Sequence, residues 1–121
     1  MLSLPPLVRV FLATQSADMR RSFDGLCALV ETQLEQDPFS GHLFVFLNRR
    51  RDRVKLLYWC GDGFAIWYRR LEKGTFQVPS AASDQTRLEM KASELSLILD
   101  GIDLVSVRRR PRYERPVDQR P

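Results

Sequence analysis

The spacing of apolar residues changes character three times along the chain. Val8-Arg9-Val10-Phe11-Leu12 alternates weakly and is rich in β-formers, which predicts a first strand. From Met19 the apolar residues Met19, Phe23, Leu26, Cys27, Val30 and Leu34 recur at offsets of four, seven, eight, eleven and fifteen, forming one continuous helical face. Ser16 or Asp18 is placed to cap this long N-terminal helix, and Arg20, Asp24, Glu31 and Glu35 lie on its polar side. The helix should stop before Asp37-Pro38, because proline disfavours helix in the residue before it. Gly25 inside it costs about 1 kcal/mol relative to alanine, which predicts close packing on a neighbour.

From His42 to Val78 the pattern becomes strands separated by turns. Leu43-Phe44-Val45-Phe46-Leu47 is a continuous apolar run, expected of a strand buried on both faces. Asn48 to Asp52 then forms a connection into Val54–Cys60, Gly61-Asp62-Gly63 signals a hairpin, and Phe64–Tyr68 and Thr75–Val78 follow. These segments predict an antiparallel β-meander covered on one face by the long helix. Arg87–Met90 predicts a short further strand, and Ser93-Glu94 opens a short C-terminal helix through Leu95, Ile98 and Leu99 that Gly101 should stop. The expected fold is α+β, one domain over residues 1–107, with a basic disordered tail over 108–121 that has three prolines and little to bury.

At 121 residues the chain has the size of one self-supporting core, with a 44% hydrophobic and 28% charged composition ordinary for a globular protein. The absence of a long apolar run argues against a membrane span, and Met1 to Val8 is too short and proline-rich for a signal peptide, so a cytoplasmic location is expected. Cys27 and Cys60, each within an apolar stretch, read as buried reduced thiols. With the lone His42 they lack the paired spacing of a zinc site, so no metal or other cofactor is expected.

The net charge of +4 is modest, but its placement is uneven. Residues 1–48 and 74–107 are each net acidic, whereas residues 49–73 carry eight bases against Asp52, Asp62 and Glu72. Nearly all are arginines, which fork onto phosphate oxygens where lysine acts as a point charge. Arg49-Arg50-Arg51 in a predicted loop is suited to clamp phosphates or enter a groove. If Cys60 pairs with Phe64 across the hairpin, Arg53, Lys55, Trp59, Trp67 and Arg69 share one face with Leu57, and Arg70 continues the strand. In that register Lys55 faces Arg69, a like-charge pair that invites a phosphate between them, and either tryptophan could stack on a base. The bland alternative is a solvated face partly covered by the second helix, and a one-residue slip would dissolve the arrangement. Arg108, Arg109 and Arg110 in the tail could add salt-dependent affinity or merely solubility. His42, starting an apolar strand, reads as structural. Asp18, Asp24, Asp52 and Asp62 are the carboxylates a two-metal nuclease would recruit, yet each has a capping or turn role available. The chain shows no nucleophile elbow or phosphate-binding glycine loop, so no catalytic residues are assigned.

Three stretches, Asp18-Met19-Arg20-Arg21-Ser22-Phe23-Asp24-Gly25-Leu26, Asp37–Phe46 and Asn48–Trp59, resemble one family closely, and Gly61-Asp62-Gly63-Phe64, Trp67–Gly74 and Leu99-Asp100-Gly101-Ile102-Asp103 continue the match. It is the small TnpB accessory protein, the second reading frame of insertion sequences of the sixty-six type, and the likeness spans about residues 5–104. Cys60 departs from the acidic or small polar residue expected before Gly-Asp-Gly. The resemblance implies a role in transposition beside a separate transposase and another small accessory protein, without supplying a mechanism. Three functions stand open: DNA binding at the element ends, a protein adaptor bridging transposase subunits with Trp59, Trp67 and Phe39 as anchors, and, least supported, a metal-dependent nuclease.

Overall fold

Five strands form one sheet because two short apolar runs, buried on both faces, need partners on either side. The structure, a computed structural model, describes residues 8–80 and 84–100. In chain order these form β1 (Val10–Ala13), α1 (Phe23–Thr32), β2 (Leu43–Leu47), β3 (Arg53–Trp59), β4 (Phe64–Arg70), β5 (Arg87–Met90) and α2 (Ala92–Asp100). A single 3₁₀ turn, Pro38–Ser40, precedes β2. The strand order is β4-β3-β2-β1-β5. β1 and β2 run parallel, with α1 as the crossover that parallel neighbours require, and every other pair is antiparallel.

Both faces of the sheet are covered. On one, Leu26, Leu29 and Val30 of α1, with Leu34 beyond it, pack on Phe11, Phe44, Phe46 and Leu57. On the other, Leu95, Ile98 and Leu99 of α2, with Phe76, pack on Val10, Leu12, Leu43, Val45 and Leu56. This is why β1 and β2 are apolar throughout. Each large side chain so buried contributes about 1.5–3 kcal/mol by leaving water.

The fold is α+β, as the sequence predicts, but several particulars differ. The long N-terminal helix is replaced by ten-residue α1, which follows β1 and begins at Phe23. Met19 lies in the preceding loop, and Leu34 lies past a widened turn in which Leu34 N–H donates to Leu29 O and Gln36 N–H to Val30 O. Neither Ser16 nor Asp18 caps the helix; Ser22 is the N-cap, without a side-chain hydrogen bond. The meander is confined to β2-β3-β4, and the sheet is mixed; Thr75–Val78 is not a strand, although Phe76 is buried and its N–H bonds Arg51 O. At Gly25 the close neighbour is local: the three atoms nearest to an added Cβ all belong to the side chain of Arg21, two of them at 3.2 Å. Cys27 is partly buried, which raises its thiol pKa, whereas Cys60, expected buried, is exposed. Gly101, the domain boundary at residue 107 and the tail 108–121 lie outside the described residues. No described helix is long and apolar enough to cross a membrane.

Candidate nucleic-acid interface

The turn joining β2 to β3 is built by one side chain. Asn48 Oδ1 accepts N–H bonds from Asp52 (3.1 Å) and Arg53 (3.0 Å), while its Nδ2 donates to Asp52 Oδ1 at 2.6 Å. Arg51 N–H donates to Asn48 O at 3.1 Å, closing the turn over Arg49 and Arg50. Arg51 then takes a left-handed conformation, φ 58°, where glycine or asparagine is the ordinary choice. All three arginines are exposed.

The turn stands between two hollows at one end of the sheet. A cavity of about 500 Å³ brings Arg49 and Arg51 together with Thr14, Ser16, Asn48 and Gln85. It opens beyond the ends of the parallel strands β1 and β2, where open sheets commonly hold ligands. A second hollow of about 340 Å³ brings Met19 to Arg49, Arg50, Asp52 and Arg53. Nearby, the carbonyls of Met19 and Arg21 both receive the ammonium of Lys55 at 2.7 Å.

Most other cations among the described residues are engaged. Arg9 pairs with Glu89, Arg20 with Asp18, Arg70 with Glu72 and Arg87 with Glu35. The hydrogen bonds from Arg20 hold the Asp18 carboxyl pKa down to about 2. Arg69 donates to Leu99 O at 3.0 Å, in the last turn of α2, where a cation complements the helix dipole. Arg21, Arg49, Arg50, Arg51 and Arg53 are therefore the arginines with neither an ion pair nor a helix end to serve among the described residues; Arg53 makes only a long bond, 3.4 Å, to Tyr68 Oη.

The mixed face of cations and tryptophans expected across the hairpin is overturned by its register. Trp59, not Cys60, pairs with Phe64, Lys55 with Tyr68, and Leu56 with Trp67. The shift is one residue, because Cys60 N–H bonds Gly63 O at 2.8 Å around a two-residue loop with Gly61 at φ 98°. It puts Lys55 and Trp59 on the α1 face and Trp67 and Arg69 on the α2 face. Lys55 is buried, its ammonium 4.9 Å from the Tyr68 ring centre. Arg69 stacks on Trp67 at 4.7 Å. Trp59 lies at the opposite end of the sheet from the arginine turn, in a cluster with Phe39 and Phe64 whose ring centres are 5.0 Å apart. Of the sequence-selected residues, Arg49, Arg50, Arg51 and Arg53 thus come together; Lys55, Trp59, Trp67 and Arg69 do not join them, and Arg70 is paired. Arg108, Arg109 and Arg110 lie outside the described residues.

Sequence reasoning missed the Thr14, Ser16 and Gln85 lining, since only the fold brings these segments to the turn. His42 has a structural position: its Nδ1 accepts the Arg9 N–H at 3.0 Å, and its ring meets Phe11 edge-on. Among the described residues no three His, Cys, Asp or Glu side chains gather as a metal site would require.

The fold and site define a small mixed-sheet protein that presents a cationic turn at the end of its sheet. Residues 8–109 match the family described as IS66 Orf2 like protein, and the chain belongs to that family, which comprises accessory proteins of insertion sequences. It is 39% identical over 109 residues to uncharacterized protein y4jC of Sinorhizobium fredii (strain NBRC 101917 / NGR234), spanning 90% of this chain and 91% of that one. It is 36% identical over 96 residues to uncharacterized protein y4hO of the same organism, spanning 79% and 82%. No solved structure matches the chain.

Proposed function

We propose that this protein assists transposition by binding the DNA ends of its insertion sequence, alone or with the transposase bound, through the basic end of the sheet. The observation that carries the reading is the division of labour among arginines. Among the described residues the other arginines, Arg21 apart, are spent on acids or a helix end, whereas Arg49, Arg50, Arg51 and Arg53 gather around one turn and make no ion pair. Phosphates are the anions that such a cluster accommodates, two or three at a time. The protein contributes charge and position, and the transposase performs the chemistry.

The test is an anisotropy titration of terminal-repeat DNA and scrambled DNA across a salt series. Affinity should fall steeply with salt. Replacing Arg49, Arg50 and Arg51 by alanine should flatten the log–log salt slope by about 2–3, because each lost phosphate contact removes about 0.9. Binding indifferent to the triple substitution would overturn the assignment of the site.

The cluster of exposed Phe39 with half-buried Trp59 and Phe64 supports a second reading, an adaptor that grips the transposase by aromatic anchors. Trp67 drops out of that anchor set because α2 and Arg69 cover it. An adaptor would bind no DNA by itself and would co-purify with the transposase, and Phe39→Ala would release it.

A further inference from the structure

The sheet has two edges of unequal character. β5 is four residues long, whereas β4 is seven and carries Phe64, Ile66, Trp67 and Tyr68. The hydrogen-bond phase of β4 follows from its two ends. Cys60 N–H bonds Gly63 O and Leu71 N–H bonds Asp52 O, so Gly63, Ala65, Trp67, Arg69 and Leu71 turn their backbone groups toward β3. Phe64, Ile66, Tyr68 and Arg70 consequently turn theirs outward, and no described segment accepts them. Soluble proteins usually blunt such an edge with proline, a bulge or inward-pointing lysine. β4 has none of these devices, and its two charges stand together at one end.

We propose that this edge is a homodimer interface, in which β4 pairs antiparallel with β4 of a second copy about a two-fold axis at Ile66. Charge complementarity selects this register. With Ile66 opposite the partner's Ile66, Phe64 faces the partner's Tyr68 and Asp62 faces the partner's Arg70. The Ile66 pair and the two Phe64–Tyr68 pairs align residues whose backbone groups point outward, giving about six new main-chain hydrogen bonds between Phe64 and Tyr68. Asp62 is exposed and makes no ion pair among the described residues; Arg70 pairs with Glu72, but its side chain is 59% exposed and its guanidinium has further donors for a second carboxylate. The alternative axis at Trp67 sets Arg70 against the partner's Phe64 and leaves Asp62 unmatched. The chosen register also accounts for two exposed aromatics, Tyr68 at 47% and Phe39 at 57%. Phe39 lies over Phe64, beside which the partner's Tyr68 would be laid. The second copy is favoured over another protein strand because both halves of the match, the acid and the arginine, are on this one edge.

The test is sedimentation velocity on the full chain from micromolar to about 100 µM, a range suited to an interface of modest area. The wild type should shift with concentration to twice its mass of 14.1 kDa. Asp62→Arg alone and Arg70→Asp alone each set like charges across the interface and should raise the dimer dissociation constant at least tenfold. The double variant Asp62→Arg/Arg70→Asp should restore it. Within one chain the two positions are about 26 Å apart along the strand, so rescue cannot arise inside a monomer. Circular dichroism of each variant checks that the fold is retained. A wild type that stays monomeric throughout, or a dimer that the single swaps leave unchanged, would overturn the proposal.

Discussion

Replacing Lys55 by methionine separates a structural cation from a binding one. The Lys55 side chain is 8% exposed, and its ammonium donates to Met19 O and Arg21 O, each at 2.7 Å, beneath the ring of Tyr68. Methionine keeps the stem and its packing against the α1 face but removes the charge. Two hydrogen bonds to a charged donor are worth about 1.5–3 kcal/mol each, and the ring contact adds about 0.5–2. Against this stands the desolvation of a buried ammonium, several kcal/mol, which methionine avoids. Both carbonyls sit in a partly exposed loop and can turn to water, which limits the loss. The balance is a destabilisation of about 2 kcal/mol, a fall in Tm of roughly 8–10 °C for a domain of this size. Urea denaturation followed by circular dichroism reads the energy. The salt slope of DNA binding should stay at the wild-type value, because Lys55 meets carbonyls and not phosphates. A loss below about 0.5 kcal/mol, or a slope reduced as an arginine-turn variant reduces it, would refute this account of the residue.

Arg51→Gly should move stability and binding in opposite directions. Glycine relieves the left-handed φ of 58° and should stabilise the fold by about 0.5–1 kcal/mol, while the lost guanidinium weakens DNA affinity; a less stable variant would show that the side chain has a structural contact. Asp18 should titrate by carboxyl carbon NMR with a midpoint near 2 instead of the ordinary 3.8, since the Arg20 guanidinium favours its charged form. The folded pKa is the lower one, so its contribution to stability is present above the ordinary carboxyl range and is lost as pH falls through about 2. In Arg20→Ala the midpoint should return toward 3.8; an unshifted wild-type midpoint counts against the pair.

How much of this was legible in the sequence depends on how far each residue's partner lies along the chain. β2, β3 and β4 were readable because apolar runs bounded by Asn48–Asp52 and Gly61-Asp62-Gly63 report local turns. The start of α1 was not. Met19 keeps helical spacing with Phe23 and Leu26, yet its carbonyl and that of Arg21 are drawn out of any helix by Lys55. Periodicity cannot register a lysine more than thirty residues downstream. The hairpin register failed by one residue because the glycines of Gly61-Asp62-Gly63 permit both a three-residue and a two-residue loop, and the choice flips every side chain. The arginine turn was visible as composition, but the lack of ion pairs to its arginines among the described residues was not. Arg69 and Arg87 resemble Arg50 in sequence, and only the fold brings Leu99 O to one and Glu35 to the other.

The place of β1 between β2 and β5 has a consequence for the order of assembly. Its pairing with β2 can be made as soon as α1 has turned the chain back, but its other side waits for Arg87–Met90, so that Val10 meets Met90 only after some eighty further residues have been made. Until then the emerging polypeptide exposes a raw, wholly apolar seam along the free side of β1, the joint that an edge strand will later close. Such long-range closure slows folding and invites aggregation. Ribosomes stalled before residue 87 should therefore release chains that clump instead of shortened working molecules.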